Sequence, residues 1–344
     1  MNRVKESIVN LDQQFVAFRF AWVTQHSWGG DKMRDDGLIN VQQISLGKAR
    51  FWSSQIVAAY LNDSELSLEI IDQEDAPPTT VVILVHDKKA TSVKRLIDYS
   101  LSRRRVKQRL AELSKTAGRL ELREVVCPKC QSAILMEGPP TPQFFCRYCE
   151  TITTEFDVDL QRHEIEYRIC RRCEMYSRPR KFTVFYFYFL VYFYGIHMDF
   201  VHCCPACFRR TAWSMLWGNL PFVVGVPVAL RQLSHCYFGS NRTGPMRGLH
   251  DANRYLKRGK FAESLQIYES ILDRHPLSAG VKYNIALGLI GSGDLRHAVA
   301  SLELALQDCS NYIPAQRLLV QTLYDLDKPQ QAQEFAERFK FDLS

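Results

Sequence analysis

The stretch KFTVFYFYFLVYFYGIHMDFVHCCPAC, from Lys181 to Cys207, joins an uncharged aromatic run to a pair of cysteines. The 17 residues from Phe182 to Met198 carry no charge, and nine of the thirteen from Phe182 to Tyr194 are aromatic. This length is marginal for a helix that crosses a bilayer, and Phe, Tyr and Val favour strands. The run therefore predicts strands of an elongated ribbon, with a bend near Gly195 and one face covered by residues 211–230 or by lipid.

The cysteines that end this run belong to a larger pattern. Eight of the 11 cysteines form four Cys-x-x-Cys pairs, in which both thiolates of one turn can face the same ion. The first set is Cys127, Cys130, Cys146 and Cys149, and the second is Cys170, Cys173, Cys204 and Cys207. Both sets resemble zinc ribbons, and two structural Zn²⁺ ions are expected because four thiolates leave no open position for water. A bilayer crossing by the aromatic run would separate the two halves of the second set, which argues against one.

The pairing of the four turns stays open at this point. A cross-braced arrangement, in which the first and third pairs share an ion, is the alternative to sequential sites. Redox dithiols are a third possibility, although no βαβ context accompanies the pairs. The remaining cysteines, Cys203, Cys236 and Cys309, are expected to be buried small hydrophobes. The nearby histidines His163, His197 and His202 are expected to neighbour the ligands or lie on the surface.

Residues 211–230 form a second apolar segment. Twenty uncharged residues lie between Arg210 and Arg231, enough for a helix that spans the hydrocarbon layer. Glycine, asparagine and proline interrupt the segment, and basic residues flank both ends, as in a segment that enters and leaves on the cytoplasmic side. We therefore expect membrane contact, as a shallow hairpin or as a full span, with a buried helix pair as the equally weighted alternative.

The region 1–120 predicts a mixed β/α domain. Thr79–Asp87 has the composition of a strand, and the spacing of apolar residues predicts a helix over Ala90–Leu113. Several strands followed by one closing helix loosely resemble pleckstrin-homology-like domains. The resemblance implies a small barrel closed by this helix.

The basic residues concentrate on this helix. The whole chain has a net charge of +7, yet Lys88 to Arg119 holds eleven basic and two acidic residues. Such a segment predicts binding to an anionic partner, either nucleic-acid phosphates or lipid headgroups, with a solvated helix face as the alternative. The candidate anion-binding residues are Lys94, Arg95, Arg103, Arg104, Arg105, Lys107 and Arg109.

The last hundred residues repeat with a period of 34. Ala252 aligns with Ala286, Gly259 aligns with Gly293, and a weaker third copy includes Val320. The pattern resembles the tetratricopeptide repeat family over residues 248–344, although the usual tryptophan is absent. The resemblance implies three helix pairs stacked as a solenoid, whose groove binds a protein or peptide partner. Packing against the rest of the chain is the alternative.

Together these features predict a multidomain α+β protein. Its expected parts are a mixed β/α domain (1–120), a tandem zinc-ribbon module (121–210), an apolar segment (211–240) and repeats (248–344), with a linker at 239–245. No catalytic motif is present and no secretory signal begins the chain, so we expect no enzyme and a cytoplasmic location, including the cytoplasmic face of a membrane. The predicted function is a zinc-binding adaptor or scaffold attached to a membrane through 211–230. A nucleic-acid-binding module is the alternative.

Overall fold

The computed structural model describes residues 11–23, 34–71, 77–113, 121–190, 193–238 and 244–339. The chain divides into two compact units, Met1–Pro139 and Pro140–Ser344. Some predicted features lie outside the described residues: the N-terminal residues 1–10, Lys115 and Arg119 of the basic segment, and most of the linker.

The first unit contains an antiparallel sheet of seven strands in the order β4-β3-β2-β1-β7-β6-β5. Strand β1 joins two runs of neighbouring strands because it pairs with both β2 and β7. Alternate residues of β1 point into the core, where Phe18 and Phe20 are buried. The strands are β1 Val16–Trp22, β2 Asp35–Ile39, β3 Gln43–Leu46, β4 Ala49–Trp52, β5 Ile56–Asn62, β6 Glu65–Ile70 and β7 Thr79–Val85.

Helix α1 (Ala90–Leu113) follows β7 with the predicted bounds. Its apolar stripe is buried at Val93, Leu96 and Ile97 and becomes exposed near the end, at Leu110. A β8–β9 hairpin (Leu122–Val126 and Ala133–Glu137) packs on the helix, where the Ala133 amide donates to Ser102 Oγ at 2.9 Å. An N-terminal domain with an antiparallel β-sheet is thus present, and the basic helix follows its seventh strand. The pleckstrin-homology resemblance stays a prediction.

The second unit begins with short elements. Hairpin β10–β11 (Gln143–Cys146 and Thr151–Thr154) is followed by α2 (Val158–Glu164) and by the short pair β12–β13 (Arg168–Ile169 and Tyr176–Ser177). Asp157 caps α2, since its Oδ1 accepts hydrogen bonds from two amides of the first turn. These elements carry little apolar area of their own, and their buried aromatic residues Phe145, Tyr167 and Tyr176 join the core of the C-terminal helices.

The aromatic run forms the long hairpin β14–β15 (Arg180–Leu190 and Phe193–Cys203). The prediction of strands is correct, and Gly195 lies within β15, two residues after the point where the chain has reversed. That residue pairs with Tyr188 inside the hairpin, and an added Cβ would lie 2.2 Å from the Tyr188 ring. A side chain at 195 would therefore displace the aromatic ring that covers this position.

Helices α3 (Pro205–Asn219) and α4 (Val226–Phe238) cover one face of this hairpin, with a 3-10 turn (Leu220–Phe222) between them. Phe182 stacks on Phe208 with ring centroids 4.3 Å apart. The buried Asn219 side chain accepts from the Phe187 amide at 2.9 Å and donates to the Phe185 carbonyl at 2.7 Å. Residues 211–230 therefore cover one face of the aromatic strands, one of the two covers that the sequence predicted. Through Asn219 they also form hydrogen bonds with backbone groups on the unpaired edge of β14.

Six further helices complete the chain: α5 Leu249–Leu256, α6 Phe261–Arg274, α7 Ala279–Gly291, α8 Leu295–Asp308, α9 Ile313–Asp325 and α10 Pro329–Phe339. Equivalent turns join the helices of each pair. The amides of Lys260, Asp294 and Lys328 donate to carbonyls five residues earlier at 2.9–3.0 Å, and these positions are 34 residues apart. The preceding residues Gly259, Gly293 and Asp327 all have positive φ. Among the described residues, no helix is long and apolar enough to span a membrane.

Candidate metal centres

Three of the four cysteine turns have the same backbone geometry. In each, the residue after the second cysteine has a φ of 58–63° and donates its amide to the carbonyl of the first cysteine at 2.7–2.8 Å. These residues are Gln131, Glu150 and Glu174, so the tight turn is made at a left-handed position without glycine. The fourth turn is the start of α3, where Pro205 follows Cys204 and the Cys207 amide donates to the Cys204 carbonyl at 3.0 Å.

The structure brings the two predicted sets of cysteines together in sequential pairing. In each set the four sulfur atoms lie within 4.8 Å of one another. A tetrahedral zinc ion with Zn–S bonds of about 2.3 Å requires sulfur atoms about 3.8 Å apart, close to the 3.7 Å between Cys173 and Cys204. Each set can therefore hold one metal ion, and this sequential grouping leaves no thiol for a cross-braced arrangement.

Hydrogen bonds orient the sulfur atoms in both sets. In the first set, Cys149 Sγ lies 2.9 Å from Thr151 Oγ1 and Cys130 Sγ lies 3.3 Å from Ser132 Oγ. In the second set, the Cys204 amide donates to Cys170 Sγ at 3.2 Å. Such contacts to the ligands fix their orientation and tune the charge of a metal site.

Hydrogen bonds within the second set separate the pKa values of its four thiols. Those of Cys173 and Cys204 are raised, chiefly by their hydrogen bonds with Cys170, and those of Cys170 and Cys207 are lowered. Hydrogen bonds from Cys173, Cys204 and Cys207 lower the pKa of Cys170 far below its usual range. The pKa of Cys207 is about 6, where the hydrogen bond with Cys170 raises it and those with Cys173, Cys204 and Lys257 lower it. Lys257 Nζ lies 3.1 Å from Cys207 Sγ and supplies positive charge beside a site whose four thiolates exceed the charge of one divalent ion.

The other candidate ligands take no part in either set. Cys203, Cys236 and Cys309 are buried, with at most 1% of their surface exposed, in agreement with the prediction of small core residues. Burial raises the pKa of Cys236 to about 11, so this thiol stays protonated at neutral pH. Neither of the two groups of described residues includes a histidine.

Asparagine side chains attach the metal-binding segments to the first helices of the repeats, a feature that the 34-residue alignment does not mark. Asn284 Oδ1 accepts from the Tyr176 amide at 2.7 Å, and Asn284 Nδ2 and Asn253 Nδ2 both donate to the Tyr176 carbonyl at 2.8 Å. Asn311 binds the amide and carbonyl of Phe145 at 2.8 and 2.9 Å in the same way. Part of the repeat surface thus already holds strand backbone from this chain. The one sequence signal was the polar Asn284, which with Lys282 interrupts the otherwise apolar helix α7.

A buried carboxylate makes a second attachment. Glu164 is fully buried and accepts hydrogen bonds from Gln143 Nε2 at 2.6 Å, from the Thr154 amide at 2.5 Å and from Thr154 Oγ1 at 2.9 Å. His275 Nε2, at the end of α6, lies 3.1 Å from the same carboxylate. Gln143 Oε1 in turn accepts from the Ala279 amide at 3.0 Å. Hairpin β10–β11, helix α2 and the α6–α7 connection therefore share one polar network.

Several predicted anion-binding residues on α1 contact the protein itself. Arg104 binds the carbonyls of Ser53 and Ile56, and Arg105 binds that of Val57 at 2.7 Å. The remaining contacts are an ion pair of Lys94 with Asp98, ion pairs of Arg109 with Glu112 and Glu137, and stacking of Arg103 on Tyr99. Arg95 and Lys107 lie on the same helix. Anion binding by these seven residues stays a prediction.

Adjoining elements of the second unit expose many large apolar side chains. On the hairpin, Tyr194 is 76% exposed; on α3, Trp217 is 66% exposed; after it, Val223 is 68% exposed. The other such residues are Tyr188, Phe189, Ile196, Met198, Phe200, Trp213, Leu220, Val224, Leu230, Tyr237 and Phe238. We call these fourteen side chains the aromatic face. Its size exceeds the scattered apolar exposure that is normal on protein surfaces.

Comparison with known proteins identifies no family. No protein-family model matches the chain, and no curated protein matches it. A solved structure titled MamA AMB-1 matches 38% of this chain and 70% of its own length at 12% identity. Its TM-score of 0.26 is too low to support an argument about the fold.

Proposed function

We propose that this chain is a non-catalytic adaptor, in which two structural zinc ions order short segments and the helix pairs bind a partner protein. The observation that carries the proposal is the periodicity of the helix pairs: the same turn hydrogen bond recurs at 34-residue steps in three consecutive pairs. Repeats of this kind present extended surfaces that suit protein recognition. The closed sets of four thiols support a structural role for the metal, because they offer no position for a substrate or water.

Zinc suits both sets by its donor chemistry. Four thiolates in tetrahedral reach favour zinc over the hard cations, which prefer oxygen ligands. Metal binding would contribute on the order of 10 kcal/mol to folding of segments that have little core of their own.

The partner surface consists of those parts of the repeats that the metal-binding segments leave uncovered. Asn253 and Asn284 already bind Tyr176, so the first-helix face of the first two pairs is occupied. Leu304 on α8 and Tyr324 on α9 are 49% and 44% exposed. These side chains are the apolar contacts that we assign to the partner.

Site-specific photo-crosslinking tests this assignment in the full chain. A photoreactive phenylalanine analogue at position 324 should give a discrete adduct with one partner, while the same analogue at the exposed Tyr60 of the first unit should not. Unlabelled wild-type chain should compete for the partner, and chain carrying Leu304→Glu should compete at least tenfold less well. Equal adducts at both positions, or equal competition by both chains, would refute the assignment.

A second candidate function is attachment to a membrane surface, which the aromatic face favours. Two tryptophans lie on it, and the exposed Arg210 and Arg231 lie on its helices α3 and α4, a combination suited to the interface of an anionic bilayer. The short helices support shallow contact, with their buried sides packed on the hairpin.

Vesicle co-sedimentation tests whether the chain binds a membrane surface. Full-length chain should pellet with vesicles that contain phosphatidylserine, and the double variant Trp217→Asp, Val223→Asp should lose at least tenfold in binding. Leu304→Asp on the repeats is the matched control and should bind like the wild type. A wild-type chain that stays in the supernatant at low salt would exclude membrane attachment.

A further inference from the structure

A small cavity of the second unit is lined by cationic and hydroxyl side chains that the proposed adaptor function does not use. Its volume is about 20 Å³, against the 10–15 Å³ that one water molecule requires. The polar lining comes from Ser177, Arg178, Arg180, His235, His250 and Asn253, and Cys204 of the second metal set lines the cavity as well. The cavity therefore admits one or two oxygen atoms of a ligand whose remaining atoms lie at its mouth.

One polar group in this lining is buried without a partner. Ser177 is 4% exposed, and its Oγ makes no hydrogen bond to any described residue. Burial of a hydroxyl without a hydrogen bond is unfavourable, so such groups are rare in native proteins. A ligand oxygen in the cavity would complete the hydrogen bonding of Ser177.

The charges around the cavity favour an anion. Arg178 and Arg180 both line it, and Glu166 pairs with the Arg178 guanidinium at 2.5 Å. Burial first, and then the charge of Arg178, lower the pKa of Arg180, so the two cations repel each other in a poorly solvated place. A shared anion would turn this repulsion into attraction.

Two helices also begin at the cavity wall. Helix α3 starts at Pro205 and helix α5 at Leu249, and both residues line the cavity. The positive end of a helix dipole stabilises a nearby anion by about 0.3–1 kcal/mol. The sulfur atoms of the second metal set have their own cation, because Lys257 Nζ contacts Cys207 Sγ at 3.1 Å.

From these observations we propose that the cavity binds a tetrahedral oxyanion of the phosphate class, held by the guanidinium groups of Arg178 and Arg180 and by the Ser177 hydroxyl. Arginine suits this chemistry because its planar fork of N–H donors matches the spacing of phosphate oxygens. The anion would hold β13, the start of β14, α3 and α5 together.

Titration calorimetry of the zinc-loaded full chain with inorganic phosphate, at constant ionic strength, tests the proposal. We expect saturable binding of one phosphate, weakened at least tenfold by Arg180→Gln and about fivefold by Ser177→Ala. Arg231→Gln on α4 is the matched control, since this exposed arginine does not line the cavity; its affinity should stay within twofold of wild type. O-phosphoserine forms a second arm: binding as tight as that of phosphate would support a phosphomonoester ligand, and weaker binding would support the free ion.

Two results would overturn the proposal. One is the absence of saturable phosphate binding by the wild-type chain. The other is binding that both Ser177→Ala and Arg180→Gln leave unchanged, which would place the anion elsewhere, for example on α1. Ser177→Ala removes a single oxygen, so it keeps the test decisive if Arg180→Gln fails to fold.

Discussion

Replacement of Glu164 by glutamine tests whether the buried network couples the β10–β11 hairpin to the repeats. The substitution keeps the size of the side chain but replaces one acceptor oxygen by an NH₂ donor. In the wild type the two oxygens accept three hydrogen bonds at 2.5–2.9 Å, and His275 Nε2 lies 3.1 Å away. At least one donor, of Thr154 or Gln143, would then face another donor in a site with no solvent exposure.

The magnitude follows from the hydrogen bonds that the substitution removes. A hydrogen bond to a carboxylate contributes about 1.5–3 kcal/mol, and an unsatisfied buried group costs about 1–3 kcal/mol. Removal of one such bond together with one unsatisfied donor predicts a destabilisation of about 3–5 kcal/mol. This is a large part of the stability of an ordinary domain.

Native-state hydrogen exchange is the suitable assay because the chain has two units and need not unfold in one step. In Glu164→Gln, the free energy of opening should decrease by the predicted amount for amides of β11 and of the α6–α7 connection. For amides of the seven-stranded sheet of the first unit it should stay at the wild-type value. Glu269→Gln, on the exposed side of α6, is the matched control and should change protection by less than about 0.5 kcal/mol. A decrease below about 1 kcal/mol in Glu164→Gln, or equal effects in both variants, would refute the coupling.

Three further predictions concern single residues. Cys204→Ser should lower the zinc content from two ions to one per chain, measured by elemental analysis, while Cys203→Ser, next to it and equally buried, should keep both; loss of zinc in both variants would contradict the assignment of ligands. Gln131→Gly should raise the free energy of unfolding by about 0.5–1 kcal/mol in urea titrations, because Gln131 has a φ of 63° that glycine adopts without strain; a destabilised variant would show that the side chain matters more than the backbone. Burial, followed by the charge of Arg209, lowers the pKa of His250 from 6.5 to about 4. Between these two pH values the unfolded chain therefore binds one more proton than the folded chain. The free energy of unfolding consequently decreases as the pH falls below 6.5. Between pH 7.5 and 5.5 the wild type should lose about 1 kcal/mol more than His250→Gln, and parallel losses would contradict a neutral buried histidine.

The local features of this fold could be predicted because short-range geometry determines them. A Cys-x-x-Cys turn brings two sulfur atoms to one side whatever follows, so all eight ligands were visible in the spacing, whereas their grouping into two sets was not. The bounds of α1 followed from its apolar stripe, and the period of 34 aligned Gly259 with Gly293, which lie in equivalent turns. The aromatic run was correctly assigned to strands, since a helix of that composition would have separated Cys173 from Cys204.

The contacts that join distant segments could not be predicted in this way. Asn284 and Tyr176 are 108 residues apart, and Glu164 and His275 are 111 apart, so neither pair leaves a periodic pattern. The same holds for Arg104, whose charge suggested an external anion but whose donors bind carbonyls of the sheet.

The sequence by itself thus determined which residues can bind metal, which form helices or strands, and where the chain repeats. These properties depend on backbone geometry and side-chain periodicity within a few residues. Only the tertiary structure decided which surfaces are used internally and which stay exposed, because burial and hydrogen bonding of each side chain depend on neighbours that packing brings from far along the chain. The occupied asparagines of the repeats, the aromatic face and the cationic cavity beside Ser177 all follow from that packing.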